Sequence, residues 1–266
     1  MLVGLSLVAV ACGHDSGPGS GGDASTPSTT STPPTTAPGG TTLPPPPSTT
    51  PPTTSPASGG PAVQIRRGNP DRMEVALTFD AGSDAGSTAA ILDTLAADGI
   101  KASFGLTGAW AAAHPDLVRR IVADGHQVLN HSYDHPSFTG HSTGKAPLDR
   151  AQRVDQLSRT EAVLAPLGAT GRPWFRPPYG DTDGSVEADV GAAGYRYEVM
   201  WTIDSLGWKG IPTDQIVTRC LDGAAPGAIL LMHVGSGSAD GAALPAIIDG
   251  LRSRGYGFAT VAGVIA

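Results

Sequence analysis

From residue 74 to the C-terminus, short apolar runs alternate with stretches of helical spacing. "EVALTF" (74–79) reads as a strand, and "STAAILDTLAADG" (87–99) as a helix stopped at Gly99. "KASFGLTG" follows as a strand, "PDLVRRIVADG" (115–125) as a helix and "HQVLN" as a third strand. After a loop over 133–148, "LDRAQRVDQLSRTEAVLAPLG" keeps helical spacing throughout, whereas the prolines of "PWFRPP" force an extended segment. "SVEADVGAAG" is a helix, "YRYEVMWTID" one strand, "TDQIVTRCLDG" a helix and "GAILLMHV" a strand. "LPAIIDGLRSRG" and "YGFATVAGVI" complete the alternation. Repeated strand–helix units imply a parallel sheet covered by helices, either doubly wound or closed as a barrel. In both architectures the chemistry belongs just after the carboxyl ends of the strands.

Composition divides the 266 residues unevenly. From Gly17 to Pro61 the chain is almost entirely Pro, Thr, Ser, Gly and Ala, too poor in apolar surface to offset the entropy of ordering it. Residues 13–69 therefore read as an extended linker, able to reach roughly 100 Å or more, and 70–266 as the one domain. Every Lys and Arg lies at or after Arg66; with a net charge of −7 and no basic stripe, nucleic acid is not the expected partner. The start, "MLVGLSLVAVACG", is too short to span a bilayer and reads as a secretory signal over residues 1–12. A Cys directly after "AVA" resembles a bacterial lipoprotein cleavage site, which makes Cys12 the candidate lipid anchor to the membrane; the alternative is an ordinary signal peptide with an incidental cysteine. Only Cys220 remains in the domain, so no disulfide forms within it. Cys220 lies in an amphipathic helix, where a small buried side chain is expected.

Each strand end carries a polar group. Asp80 ends the first strand, and His131 and His135 follow the third. Arg176 and Tyr179 follow "PWF", Asp204 follows "YEVMWTI" and His233 ends "AILLMH". Two imidazoles four residues apart meet on one face of a helical turn, a common grip for zinc, although surface turns also hold such pairs. A carboxylate from the first strand completes a three-ligand site with open positions, the catalytic rather than the structural zinc pattern. Hydrolysis at such a site needs a base for the water proton and an acid for the leaving group. Asp80 and His233, on opposite sides of the mouth, are candidates for these roles.

The ordered series "TFDAG", "HSYDH", "RPPYG", "IDSLGW" and "LLMH" resembles the polysaccharide deacetylase family, the NodB-homology domain, over about residues 74–266. The resemblance implies a deformed (β/α) barrel and metal-dependent removal of acetyl groups from N-acetylated sugars. It assigns Asp80 as general base, His131 and His135 as metal ligands and Arg176 as the ion-pair partner of Asp80. It also assigns the Tyr179 backbone N–H to the oxyanion, Leu231 to the acetyl pocket and His233 as general acid. Trp208 matches an aromatic wall for a sugar face, though a partly buried tryptophan is an equal reading of the residue type.

Two positions depart from the family pattern. Ala81 stands where a second, metal-binding aspartate is usual, and Gly207 where an aspartate normally supports the catalytic histidine. "TFDAGSDAGSTAAILDTL" is similar to the variant of spore-type peptidoglycan muramic acid deacetylases. It makes Asp84 the candidate third ligand, against a plain turn or capping role near Ser87. Asp204 is the candidate to orient His233 in place of the missing aspartate. The sequence thus implies an anchored, extracytoplasmic, monomeric hydrolase that uses a divalent metal, zinc by preference, on peptidoglycan N-acetylglucosamine or N-acetylmuramic acid. The alternatives are chitooligosaccharide or acetyl-xylan deacetylation, or a wall-binding protein that kept the cleft and lost the metal.

Overall fold

The computed structural model describes residues 59–266. The expected signal segment, Cys12 and most of the linker lie outside the described residues. Among those residues no helix is long and apolar enough to cross a membrane.

The strands are β1 (Val63–Ile65), β2 (Glu74–Ala81), β3 (Ser103–Leu106), β4 (Gln127–Asn130), β5 (Trp174–Phe175), β6 (Tyr197–Val199), β7 (Ile203–Asp204), β8 (Ile229–His233) and β9 (Gly257–Phe258). The helices are α1 (Thr88–Ala97), α2 (Gly108–Ala113), α3 (Pro115–Ala123), α4 (Arg150–Leu164), α5 (Gly184–Ala192), α6 (Thr213–Asp222), α7 (Asp240–Ser253) and α8 (Val261–Ile265). The sheet order is β1-β6-β5-β4-β3-β2-β8-β7, with β9 added to the start of β2, and every strand pairing is parallel. This is the expected deformed (β/α) barrel.

"YRYEVMWTID" is not one strand. β6 lies beside β5 while β7 lies beside β8, near the far end of the sheet, so residues 200–202 cross the gap between the two edges. Met200 N–H donates to the Ile65 carbonyl on one side, and Thr202 N–H to the Ile229 carbonyl on the other. The fold also begins earlier than residue 70. Val63–Ile65 pairs along β6, and Arg67 bridges to Ala228, so the sheet recruits the last residues of the expected linker. Three residues are too few for a periodic signal; backbone pairing holds this edge, not apolar patterning.

Period-two alternation sorts each strand between two layers. Val75, Leu77, Phe79 and Ala81 of β2, with Leu230 and Met232 of β8, face the helices and join the main apolar core. Ala76 and Ile229 face the barrel interior, whose lower end is plugged by Val261 and Val264 of α8. The same phase turns Thr78 and Asp80, Leu231 and His233, and His131 inward. Helix ends are set by local chemistry: Asp149 and Gln152 form a reciprocal capping box on α4, and Pro115 opens α3. Cys220 is fully buried in α6, as its helical pattern implies.

Candidate active site

Asp80, next to last in β2, and His233, last in β8, are register partners on adjacent parallel strands. They are therefore neighbours, not opposites across the mouth. Gly105 on β3 is the other register partner of Asp80. A Cβ there would overlap the Asp80 carboxylate, standing 3.2 Å from its Cγ, so the missing side chain gives Asp80 room to lean toward β4. Asp80 Oδ2 then lies 3.4 Å from His131 Nε2. On its other edge, Arg176 Nη1 donates to Asp80 Oδ1 at 2.8 Å and to Thr78 Oγ1 at 2.9 Å, and Arg176 Nε donates to the Val199 carbonyl at 3.0 Å. Arg176 is fully buried and Asp80 nearly so. Burial alone would raise the Asp80 pKa, but Arg176, with His131 and His233, holds it below the ordinary aspartate value.

His131 Nδ1 lies 2.8 Å from the Arg176 carbonyl. A carbonyl only accepts, so Nδ1 carries the proton and Nε2 of the neutral ring presents its lone pair toward Asp80. Two electron-pair donors facing each other at this distance are satisfied by a cation or proton shared between them. His135 sits beside His131, ring centroids 4.7 Å apart, with Tyr179 packed on its other side at 4.7 Å. Burial lowers the pKa of both histidines, that of His135 to about 3, which keeps the rings neutral. The pair does not ride on a helical turn. The loop brings the rings together through left-handed backbone at Ser132 (φ 65°) and His135 (φ 60°).

Among the described residues, the non-glycine positions with positive φ are Ser132, His135, Tyr179 and Leu206. All four lie in loops after strand ends β4, β5 and β7, where such strain marks functional sites. The His131 loop is braced from α4 and the adjoining sheet. Asn130 Nδ2 donates to Tyr195 Oη at 2.6 Å and to the Leu157 carbonyl at 3.1 Å, while its Oδ1 accepts from Ser132 N–H. Gln156 Oε1 accepts from the N–H groups of Tyr133 and Asp134. Sequence reasoning missed Asn130, Gln156 and Gly105. Gly105 alone carried a legible signal, a glycine inside a strand pattern.

The family model described as polysaccharide deacetylase matches residues 67–198. A peptidoglycan-N-acetylglucosamine deacetylase of Bacillus cereus is 34% identical over 198 residues, covering 72% of this chain and 68% of that protein. The chain belongs to the polysaccharide deacetylase family. The crystal structure of a peptidoglycan N-acetylglucosamine deacetylase, solved with a naphthalenyl N-oxidanyl-benzamide, superposes with a TM-score of 0.70 at 31% identity, covering 76% of this chain and 92% of that one. A family pseudoenzyme from Bacillus anthracis also superposes with a TM-score of 0.70, at 29% identity, covering 78% of this chain and 70% of that one.

Family membership makes the departures informative. Ala81 is the last residue of β2, pairs with Leu106 and packs in the helix-side core, so this position contributes nothing to the mouth. Asp84 does not take its place. Its carboxylate accepts from Ser236 N–H at 2.8 Å and from Ser236 Oγ at 2.7 Å, tying the loop after β2 to the loop after β8. Those bonds lower the Asp84 pKa. Among the described residues, no group of three His, Cys, Asp or Glu side chains is placed to hold a metal ion. The structure brings the His131 and His135 rings together, with the free edge of Asp80 3.4 Å from His131.

Asp204 does not reach His233 either. Its Oδ1 accepts from Leu206 N–H at 2.9 Å, and the Trp208 indole N–H lies 3.3 Å from both carboxylate oxygens. Asp204 thus braces Trp208, whose ring is half exposed at the rim beside the mouth. The carboxylate beside His233 is Asp240, the first residue of α7, which sequence patterning left inside a loop. Leu231 is buried, on the inward phase of β8, and Tyr179 is exposed at the rim.

Proposed function

We propose that this chain is a metal-dependent N-deacetylase that hydrolyses the acetamido group of peptidoglycan N-acetylglucosamine or N-acetylmuramic acid. The observation that carries the reading is the Asp80–His233 register pair, backed by Arg176 and flanked by His131. Arg176 occupies one edge of Asp80 and keeps the carboxylate ionised, which leaves Oδ2 to take the proton of the attacking water. His233, on the next strand, gives a proton to the departing amine, so acid and base flank one acetyl group. The backbone N–H of Tyr179 receives the developing oxyanion. Leu231 supplies an apolar wall, and Trp208 offers a face for a sugar ring.

His131 and His135 would hold the divalent metal, zinc by the nitrogen-rich character of the pair. Such an ion polarises a carbonyl and lowers the pKa of water. The peptidoglycan assignment draws on the Bacillus cereus relative, and on the secretory start, Cys12 and the long linker, which together suit a lipid-anchored domain reaching into a cell wall. A second reading, a sugar-binding protein without turnover, draws on Ala81, on the engagement of Asp84 elsewhere and on the pseudoenzyme of this family.

Acetate release from peptidoglycan, N-acetylglucosamine oligomers and acetylated xylan, with metal analysis of the same protein, tests the proposal. Release from peptidoglycan that falls about 10²–10⁴-fold in Asp80→Asn, with metal retained, is the expected result. Sugar binding with neither metal nor acetate release would favour the second reading.

A further inference from the structure

We infer that Asp240 is the positioning residue for His233, and that its carboxylate occupies the space left by the absence of a side chain at Gly207. The inference rests on the reading of His233 as general acid. Asp240 is fully buried at the start of α7, yet its Oδ2 accepts from the His233 backbone N–H at 2.8 Å and from Ser238 Oγ at 2.9 Å. The same oxygen lies 3.9 Å from His233 Nδ1. That nitrogen is buried and has no hydrogen-bond partner among the described residues, and the same is true of Asp240 Oδ1. An unpartnered ring nitrogen therefore stands beside a buried acceptor carboxylate, one oxygen of which lies toward Nδ1 and the other toward Gly207. Catalytic hydrogen bonds are commonly this long before substrate is bound.

Gly207 explains how a carboxylate from α7 comes to lie here. A Cβ at 207 would overlap Asp240 Oδ1, with the Asp240 Cγ and the Ser238 Oγ each 2.6 Å away. A side chain at 207 and a carboxylate at 240 exclude one another, and this chain has the second. The chemical consequence is specific. An acceptor at Nδ1 fixes the proton there, turns Nε2 toward the mouth and stabilises the imidazolium that must donate to the amine. Asp204, held by Leu206 and Trp208, has no such access.

The test combines steady-state kinetics on N-acetylglucosamine oligomers with the ¹⁵N shifts of the His233 ring, which report the tautomer without any turnover. Asp240→Ala should lower kcat about 100-fold with KM little changed, and should convert a fixed Nδ1–H tautomer into a mixture. The double variant Gly207→Asp/Asp240→Gly, which returns a carboxylate to the vacated space from the other loop, should recover most of the lost kcat and the fixed tautomer. It also serves if Asp240→Ala fails to fold. Full kcat and an unchanged tautomer in Asp240→Ala would overturn the inference. If the wild-type protein releases no acetate from any substrate, the proposed function fails, and the ring tautomer alone then decides the role of Asp240.

Discussion

Replacing Arg176 with Met removes the one Arg or Lys that touches Asp80 among the described residues and leaves a nearly buried carboxylate without its partner. Breaking a buried ion pair from one side costs about 3–5 kcal/mol, because the remaining charge keeps its desolvation penalty. Against a domain stability of about 5–15 kcal/mol, that is a large fraction, and it corresponds to roughly 6–20 °C in Tm at about 2–4 °C per kcal/mol. Arg176→Lys keeps the charge but loses the planar fork that reaches Asp80, Thr78 and the Val199 carbonyl together; it should cost about 1.5–3 kcal/mol. The pH dependence carries a sign. In the wild type the Asp80 pKa is depressed, so its stabilising contribution is present above the ordinary aspartate value and is lost as pH falls through the depressed one. In Arg176→Met burial loses its largest opponent and the carboxyl pKa rises, so the variant recovers stability as pH falls through that raised value. The gap between the two proteins should be widest near pH 7 and narrow toward pH 4. Urea unfolding followed by circular dichroism at both pH values, with chelator present, measures it. A cost under about 1 kcal/mol at pH 7, or a gap indifferent to pH, would refute the account of Arg176 as the counter-charge of Asp80.

Trp208→Ala should raise KM about 2- to 12-fold, the equivalent of about 0.5–1.5 kcal/mol of stacking, with kcat nearly unchanged; a selective fall in kcat would mean the ring acts on the reacting group instead. Asp84→Ala should leave metal affinity within about twofold, while hydrogen exchange quickens over residues 82–86 and 235–238, because the carboxylate joins two loops through Ser236. Isothermal titration with zinc decides the first half, and loss of tight binding would return Asp84 to the ligand set.

Strand-end residues were legible because alternation is a local property: one polar group closing an apolar run must face either the barrel or the helices, and at Asp80, His131 and His233 the phase sets it inward. What a residue does after the strand ends depends on loops from elsewhere, and there local reasoning fails. Asp204 sits four residues before Trp208, close to where the family pattern places the supporting aspartate, yet strand β7 aims it at its own loop. Asp240 is seven residues beyond His233 in a Gly- and Ser-rich turn that carries no periodic signal, yet the first turn of α7 brings it back against the ring. The split of "YRYEVMWTID" into β6 and β7 has the same origin, since only closure of the sheet separates its halves. A missing side chain turns out to be as informative as a present one. Gly105 and Gly207 each leave a space that a carboxylate fills, Asp80 in one case and Asp240 in the other. A departure from a family motif at such a position is therefore first a question about which neighbour now fills the space, and only then about whether activity is lost.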